Sequence, residues 1–234
     1  MELLKNTLYI NLDHREDRKE NVENQLKSIN VTGERFSAIK TKAGCVGCTM
    51  SHIKCLELAI ERKYEYVFIC EDDIKFTNPK LFLKNLEQFY QTSIPWDVII
   101  VCGNNCPPYL QISNFCIRCK NVQTTTGYIV HNKFFDTLLS NFKSGLTNLL
   151  REPENKQKYA IDMYWKHLQK DSYFFMIIPA TVTQLESHSD VENRSIKYDH
   201  LMLDIDKKEL IEQYQKMILN GQLKMGNVIN VNPT

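Results

Sequence analysis

The stretch Tyr66-Val67-Phe68-Ile69-Cys70-Glu71-Asp72-Asp73-Ile74-Lys75-Phe76 joins an apolar run to three consecutive carboxylates and then returns to apolar residues. A short apolar run that ends at polar residues is typical of a buried strand, and open α/β sheets carry functional side chains where their strands end. Adjacent carboxylates repel one another unless a cation neutralises them, and carboxylate oxygens suit Mg²⁺ or Mn²⁺. The stretch therefore predicts either a divalent cation site at a strand end or a solvated acidic turn.

The composition argues against two classes of protein. The 234 residues contain 29 Lys and Arg against 28 Asp and Glu, and no segment concentrates the positive charge, so we do not expect a nucleic-acid partner. No run reaches the roughly 18 apolar residues that span a bilayer, and Met1–Thr7 lacks the apolar core of a secretory signal. We therefore expect a cytoplasmic protein without integral membrane contact.

Apolar runs with strand character alternate with amphipathic segments along the chain. Strands are predicted at residues 7–12, 66–70, 96–103, 122–130 and 173–178, and helices after Asp13, after Thr49 and over 79–90, 131–142 and 161–168. This alternation predicts an α/β fold with a mostly parallel central sheet flanked by helices. Residues 1–206 are expected to form one domain, and residues 207–234 a C-terminal helix and tail packed on it. Neither a G-x-G-x-x-G pattern nor a Walker loop is present, so a nicotinamide or P-loop enzyme is not expected.

The start of the first predicted helix carries an unusual charge pattern. Asp13 and Glu16 have the spacing of a capping box, which predicts that Asp13 caps the helix. Arg15 and Arg18 follow in the first turn, where cations oppose the helix dipole. Either an anionic ligand docks at this helix end or the arginines are solvated. His52, in the first turn of the next predicted helix, either contacts phosphate or bonds a backbone carbonyl.

Two cysteine pairs have the spacing of metal ligands, namely Cys45 with Cys48 and Cys116 with Cys119. Such pairs build zinc sites when they meet in space. Free cysteines otherwise behave as small buried hydrophobes. Reduced structural thiols are the prediction here, and a zinc module is the alternative.

Four motifs occur in a characteristic order along the chain: Tyr9-Ile10-Asn11-Leu12-Asp13-His14-Arg15-Glu16-Asp17-Arg18, Gly47-Cys48-Thr49-Met50-Ser51-His52, Glu71-Asp72-Asp73 and Thr126-Gly127-Tyr128. Together they resemble glycosyltransferase family 25, which contains lipooligosaccharide galactosyltransferases and procollagen galactosyltransferase domains. The resemblance implies a GT-A-type fold and inverting transfer of galactose or glucose from a UDP-sugar, with Mn²⁺ or Mg²⁺ as cofactor. The acceptor it implies is a saccharide or a hydroxylated, collagen-like peptide.

The resemblance also assigns roles to individual residues. It implies a metal held by Glu71, Asp73 and His188, although Glu71 replaces the first aspartate of the usual D-x-D motif. Asp162 is the implied general base and Asp97 the second candidate. Nucleotide contacts are implied for Asn11, Leu12, Arg15, Arg18, Ser51, His52 and Asp72. Two alternatives from other classes stay open, a catalytically inactive nucleotide-sugar-binding or scaffold protein of the same fold and the thiol–metal module.

Overall fold

A central sheet of eight strands organises the chain in the computed structural model, which describes residues 1–186, 188–189, 194–195 and 198–220, with the backbone alone at 188–189, 194–195, 209 and 214. In chain order the strands are β1 (Thr7–Asn11), β2 (Glu34–Ser37), β3 (Tyr66–Glu71), β4 (Ile74–Phe76), β5 (Val98–Asn105), β6 (Leu110–Gln111), β7 (Cys116–Arg118), β8 (Val122–His131), β9 (Phe174–Ile177), β10 (Val182–Gln184), β11 (His188–Ser189) and β12 (Arg194–Ser195). The sheet has the order β2-β1-β3-β8-β5-β9-β7-β6. Strands β4 and β10 form a separate two-stranded ribbon, as do β11 and β12.

Helices cover both faces of this sheet. They are α1 (Glu16–Ser28), α2 (Gly44–Glu61), α3 (Pro79–Tyr90), α4 (Phe135–Arg151), α5 (Lys156–Tyr159), α6 (Ile161–Tyr164), α7 (Leu168–Asp171), α8 (Asp199–Met202) and α9 (Lys208–Leu219), with 3-10 turns at Glu2–Leu4, Asn132–Phe134 and Trp165–His167. Within the described ranges, none of the helices is long and apolar enough to cross a membrane. The domain boundary expected at residue 206 falls between α8 and α9 and stays a prediction.

Strand direction confirms the α/β class and adds one detail. Strands β2, β1 and β3 are parallel, as are β5 and β9, whereas β8 runs antiparallel to both β3 and β5. Strand β7 also reverses, so six of the eight strands point one way in a mixed sheet. Because β8 is inserted in reverse between β3 and β5, its first residues lie at the end of the sheet where β1, β3 and β5 finish. We call this the carboxyl end of the sheet.

Strand β3 is buried on both faces, as its continuous apolar run predicts. Val67 and Ile69 pack in a cluster with side chains of α2 and α4. Phe68 and Cys70 point the other way, into a cluster with side chains of α1 and α3. The strand is thus held between two helical layers, and its first polar residue, Glu71, emerges at the carboxyl end of the sheet.

Several helix boundaries differ from the sequence predictions; the helix expected at 161–168, for example, is divided into α6, a 3-10 turn and α7. The capping prediction for Asp13 was wrong: Arg15 is the N-cap residue of α1 and makes no side-chain cap. Asp13 instead accepts hydrogen bonds from Arg35 Nη2 at 2.6 Å and Ser37 Oγ at 2.7 Å, because β2 lies beside β1 and competes for its carboxylate. Helix α2 begins before Thr49, and α4 continues to Arg151 because Leu149 extends its buried face.

Candidate active site

A cleft of about 560 Å³ opens at the carboxyl end of the sheet. Such a position is where open α/β sheets bind their ligands. The lining combines strand ends, the start of β8, the first half of α2 and the start of α6. It includes eight residues that the sequence predicted for the site: Leu12, Arg18, Ser51, His52, Glu71, Asp72, Asp73 and Asp162.

The loop of residues 38–42 forms one wall of the cleft and is held by a close approach of α2. A Cβ atom at Gly47 would lie 2.2 Å from the carbonyl oxygen of Ile39, so only glycine fits there. Ser51 then reaches the loop: its Oγ accepts a hydrogen bond from Ile39 N at 2.9 Å and donates one to Gly47 O at 2.8 Å. Lys40 and Lys42 are exposed on this wall and give it positive charge.

Glu71, the first residue of the acidic triplet Glu71-Asp72-Asp73, is held as a carboxylate by two neighbours. Thr125 Oγ1 donates to Glu71 Oε1 at 2.9 Å, and His52 Nε2 lies 3.3 Å from the same oxygen. Burial alone would raise the pKa of Glu71, but the hydrogen bonds from His52 and Thr125 lower it below its ordinary value. Tyr128 holds the other side of the imidazole, with its hydroxyl 2.8 Å from His52 Nδ1.

Asp72, the middle member, is tied to α1 and β1. Asn11 Nδ2 donates to Asp72 Oδ2 at 2.8 Å, and Arg18 Nη1 donates to Oδ1 at 3.2 Å. Arg35 Nε in turn donates to Asn11 Oδ1 at 2.9 Å, which orients the amide toward Asp72. Burial raises the pKa of Asp72, although the Arg18 guanidinium opposes this rise. Both carboxylate oxygens are therefore already engaged within the protein.

Asp73, the third member, is the least satisfied carboxylate of the triplet. Its Oδ2 accepts a hydrogen bond from Gln184 Nε2 at 3.4 Å and lies 3.7 Å from Arg18 Nη1. Its Oδ1 is buried and has no hydrogen-bond partner among the described residues. Burial, together with the charge of Glu71, raises the pKa of Asp73 to about 7. An unpaired, buried carboxylate oxygen beside a second carboxylate is the environment that a divalent cation satisfies.

Asp162 enters the cleft from the first turn of α6, next to an irregular part of β8. Between the pairs Cys102–Gly127 and Asn104–Gln123, β8 contains more residues than β5, so it bulges. Thr124 in this bulge has φ 87°, a conformation that is rare for a β-branched residue and is often found at functional sites. The backbone of Thr124 and the side chain of Gln123 hydrogen-bond the Asp162 carboxylate.

The surroundings of Asp162 raise the pKa of its carboxyl above the ordinary value. Burial raises the pKa of its carboxyl, and the charge of Glu71 adds to this rise, whereas Lys166 and the two hydrogen bonds lower it; the net direction is upward. A carboxylate whose pKa is raised is a stronger base than an ordinary aspartate, which suits a group that takes a proton from a substrate.

Three of the predicted site residues that the structure describes do not line the cleft. Asn11 lies behind Asp72, and Arg15 pairs with Asp17 through two hydrogen bonds at the surface. Asp97 precedes β5, where it accepts a hydrogen bond from Tyr173 N at 2.8 Å and lies 3.6 Å from Lys133 Nζ. That position is at the opposite end of the sheet. At the rise per residue of a strand, the length of β5 separates it from the cleft by roughly 20 Å, so Asp97 is not part of the site. The side chain of His188 falls outside the described residues.

The structure adds cleft residues that the sequence analysis did not select. Gln184 reaches Asp73 because β10 pairs with β4, directly after the triplet. Asn104 is buried at the end of β5, and its Oδ1 has no hydrogen-bond partner within the described ranges. Its place after an apolar strand was the one signal in the sequence that pointed to it. His14, Cys45 and Cys48 also line the cleft.

The cysteines are all free thiols, as predicted. Cys116 and Cys119 are fully buried, and among the described residues they are in no group of three or more metal-ligating side chains. A zinc module that joins the two C-x-x-C pairs is therefore not formed by the described residues.

Comparisons with known proteins agree with the family suggested by the motifs. The model of glycosyltransferase family 25 (LPS biosynthesis protein) matches residues 43–165. A Haemophilus influenzae protein named "Putative glycosyltransferase" is 40% identical over 53 residues, which are 23% of this chain and 19% of that protein. The chain thus matches about a fifth of the length of this curated relative.

Solved structures of glycosyltransferases are similar at lower identity. A glycosyltransferase involved in glycosylation of the major capsid of PBCV-1 is 14% identical, with a TM-score of 0.41 over 74% of this chain and 91% of that one. A Drosophila β-1,4-galactosyltransferase in complex with manganese, UDP-Gal and xylobiose is 14% identical, with a TM-score of 0.33 over 57% of this chain and 51% of that one. The family match alone covers more than half of the 234 residues, and on this basis the protein belongs to glycosyltransferase family 25.

Proposed function

We propose that the protein is a metal-dependent, inverting glycosyltransferase that moves a hexose, galactose or glucose, from a UDP-sugar to a hydroxyl of a saccharide or of a hydroxylated peptide. One observation carries the proposal: Asp73, whose buried Oδ1 has no hydrogen-bond partner among the described residues, lines the same cleft as Glu71 and Asp162. Membership of the family supports transfer of a sugar. The buried carboxylates support a cation as part of the machinery.

Asp73 and Glu71 are the residues that would hold the divalent cation. Asp72 is a poor candidate because Asn11 and Arg18 already occupy its two oxygens. Oxygen donors of this kind fit Mn²⁺ or Mg²⁺. When bound, the cation supplies positive charge that stabilises the departing diphosphate.

The lysines of the cleft wall would contact the donor phosphates. Lys40 and Lys42 line the same cleft as the triplet, as does His14, whose ring N–H can donate a hydrogen bond. Ser51 serves the nucleotide indirectly in this proposal, because both hydrogen bonds of its hydroxyl position the wall. His52 likewise acts on Glu71 rather than on phosphate.

Asp162 is the proposed general base. It would take the proton of the acceptor hydroxyl while the acceptor oxygen attacks the anomeric carbon of the donor and the bond from that carbon to the diphosphate breaks, with its electron pair leaving on the diphosphate. Attack from the face opposite the leaving group inverts the configuration, and positive charge develops on the sugar as in glycoside cleavage. The hydrogen bonds from Thr124 and Gln123 hold the carboxylate in one orientation for this step.

Asn104 is the proposed contact to a sugar hydroxyl. Its side chain is 6% exposed, and its Oδ1 lacks a hydrogen-bond partner in the described part of the chain. A buried amide oxygen gains most from a ligand that donates a hydrogen bond to it. A site built in this way discriminates strongly between sugars that differ in one hydroxyl.

The test is a transfer assay with UDP-galactose and UDP-glucose, with and without Mn²⁺, on a panel of saccharide and hydroxylysine-peptide acceptors. We expect Mn²⁺-dependent product that Asp73→Ala abolishes, and we expect Asp162→Asn to bind UDP normally but form no product. Full activity of Asp73→Ala would refute the role of the metal. UDP-sugar binding without any product would favour the inactive binding protein instead.

A further inference from the structure

A sulfur, a nitrogen and an oxygen donor converge at the inner side of the cleft. The ligand atoms of Cys48, His52 and Glu71 all lie within 4.8 Å of one another. Cys48 and His52 are four residues apart on α2 and therefore share one helix face, and Glu71 reaches them from the end of β3. We propose that these three side chains form a second metal site, selective for zinc or a similar thiophilic divalent ion.

The spacing suits tetrahedral coordination. With Zn–S near 2.3 Å and Zn–N and Zn–O near 2.0–2.1 Å, ligand atoms around zinc lie about 3.3–3.7 Å apart. His52 Nε2 and Glu71 Oε1 are 3.3 Å apart, and the sulfur of Cys48 lies within 4.8 Å of the ligand atoms of both residues. Three protein ligands leave a fourth position open, and all three residues line the cleft from which water or a ligand can fill it.

Tyr128 can hydrogen-bond His52 both when a metal ion is bound and when it is not. Its hydroxyl, 2.8 Å from His52 Nδ1, can donate a hydrogen bond or accept one. Without metal, Nδ1 accepts from Tyr128 and Nε2–H faces Glu71. With metal, the proton resides on Nδ1 and is donated to Tyr128, which frees the Nε2 lone pair. A hydrogen bond to the second ring nitrogen is the usual support of a histidine that binds metal.

The ligand types separate this site from the one proposed for Mn²⁺. Thiolate and imidazole favour zinc, whereas carboxylate oxygens alone suit manganese. Binding of the ion replaces the thiol proton of Cys48, which passes to solvent. Glu71 belongs to both ligand sets, so zinc would remove it from Asp73. If the proposed transferase function also holds, zinc inhibits transfer by this competition.

Direct metal binding tests the inference without any transfer assay. Metal-free protein is titrated with Co²⁺, whose thiolate complexes absorb in the near ultraviolet, and zinc affinity is measured by displacement of the Co²⁺. We expect one equivalent per chain with sulfur-to-cobalt absorption. Cys48→Ser should lose this absorption and weaken zinc binding roughly 100-fold or more. Cys45→Ser is the matched control, because Cys45 lines the cleft on the same helix but lies outside the cluster, and it should behave as the wild type.

Two further variants keep the test decisive if Cys48→Ser unfolds. Glu71→Gln keeps the size of the side chain and should weaken zinc binding, and Tyr128→Phe should weaken it about 10–100-fold by removing the support of His52. The inference is overturned if the wild type binds no zinc, if Cys48→Ser retains the absorption, or if Cys45→Ser removes it. Failure of sugar transfer would leave these readouts unchanged, so the two proposals can fail separately.

Discussion

Replacement of Arg18 by methionine tests how much the Arg18 guanidinium stabilises the negative charge of the acidic triplet when no cation is bound. Arg18 Nη1 lies 3.2 Å from Asp72 Oδ1 and 3.7 Å from Asp73 Oδ2, and the side chains of these residues are at most 14% exposed. Solvent therefore screens these ion pairs weakly. Methionine retains much of the aliphatic volume of arginine but removes the charge.

The expected loss of unfolding free energy is about 3 kcal/mol at pH 8. Removal of one partner from a buried ion pair costs about 3–5 kcal/mol, and the lower end applies because Asp72 keeps its hydrogen bond from Asn11. The pKa values of Asp72 and Asp73 are already raised in the folded protein, and loss of the guanidinium raises them further. The folded variant then binds protons that the unfolded chain releases, so its deficit shrinks as the pH falls toward 5.

Urea unfolding at pH 8 and at pH 5 measures both effects. The matched control is Arg15→Met, three positions earlier, whose partner Asp17 has a 66% exposed side chain, and it should cost less than about 1 kcal/mol at either pH. The reasoning is refuted if Arg18→Met and Arg15→Met lose equal stability, or if the deficit of Arg18→Met is independent of pH.

Three further outcomes are expected. Burial raises the pKa of Asp73 to about 7, so below that pH a cation must displace a proton in order to bind. Calorimetry should therefore show that Mn²⁺ affinity falls about tenfold per pH unit below pH 7 and is nearly constant above it. A flat profile would contradict this. Gly47→Ala should lower the free energy of unfolding, measured with urea, by about 1–3 kcal/mol, because the new Cβ would lie 2.2 Å from Ile39 O. Unchanged stability would show that the 38–42 loop can move away without cost. Thr125→Val should weaken Mn²⁺ binding, because it removes one of the two hydrogen bonds that lower the pKa of Glu71, the other being from His52; unchanged affinity would show that Thr125 does not contribute to the metal site.

The centre of the fold and of the candidate site followed from simple patterns in the sequence. The apolar run before Glu71 predicted a buried strand, and β3 is a strand whose two faces are both buried. Its polar residues could lie only at the end of the sheet, where the cleft is found. Asp162 was placed by its resemblance to family members, and it lines the same cleft.

The contacts around the triplet depend on tertiary structure and could not be predicted. Gln184 reaches Asp73 across a strand pairing more than a hundred residues away in sequence. Thr124 is positioned by a β-bulge that the local sequence does not predict. Arg15 and Arg18 looked equivalent, but only Arg18 is on the inward face of α1. Asp97 could have been rejected from the sequence, because a residue before a parallel strand lies at the end of the sheet away from the carboxyl end.

The most direct test of the central claim is Mn²⁺ binding in the presence of UDP, followed by the electron paramagnetic resonance signal of free Mn²⁺. We expect the wild type to bind one Mn²⁺ with UDP and Asp73→Asn to bind it roughly 100-fold more weakly. Asp97→Asn is the matched control at the opposite end of the sheet and should bind as the wild type does. Equal Mn²⁺ affinity in the wild type and Asp73→Asn would contradict the assignment of the acidic triplet as the metal site.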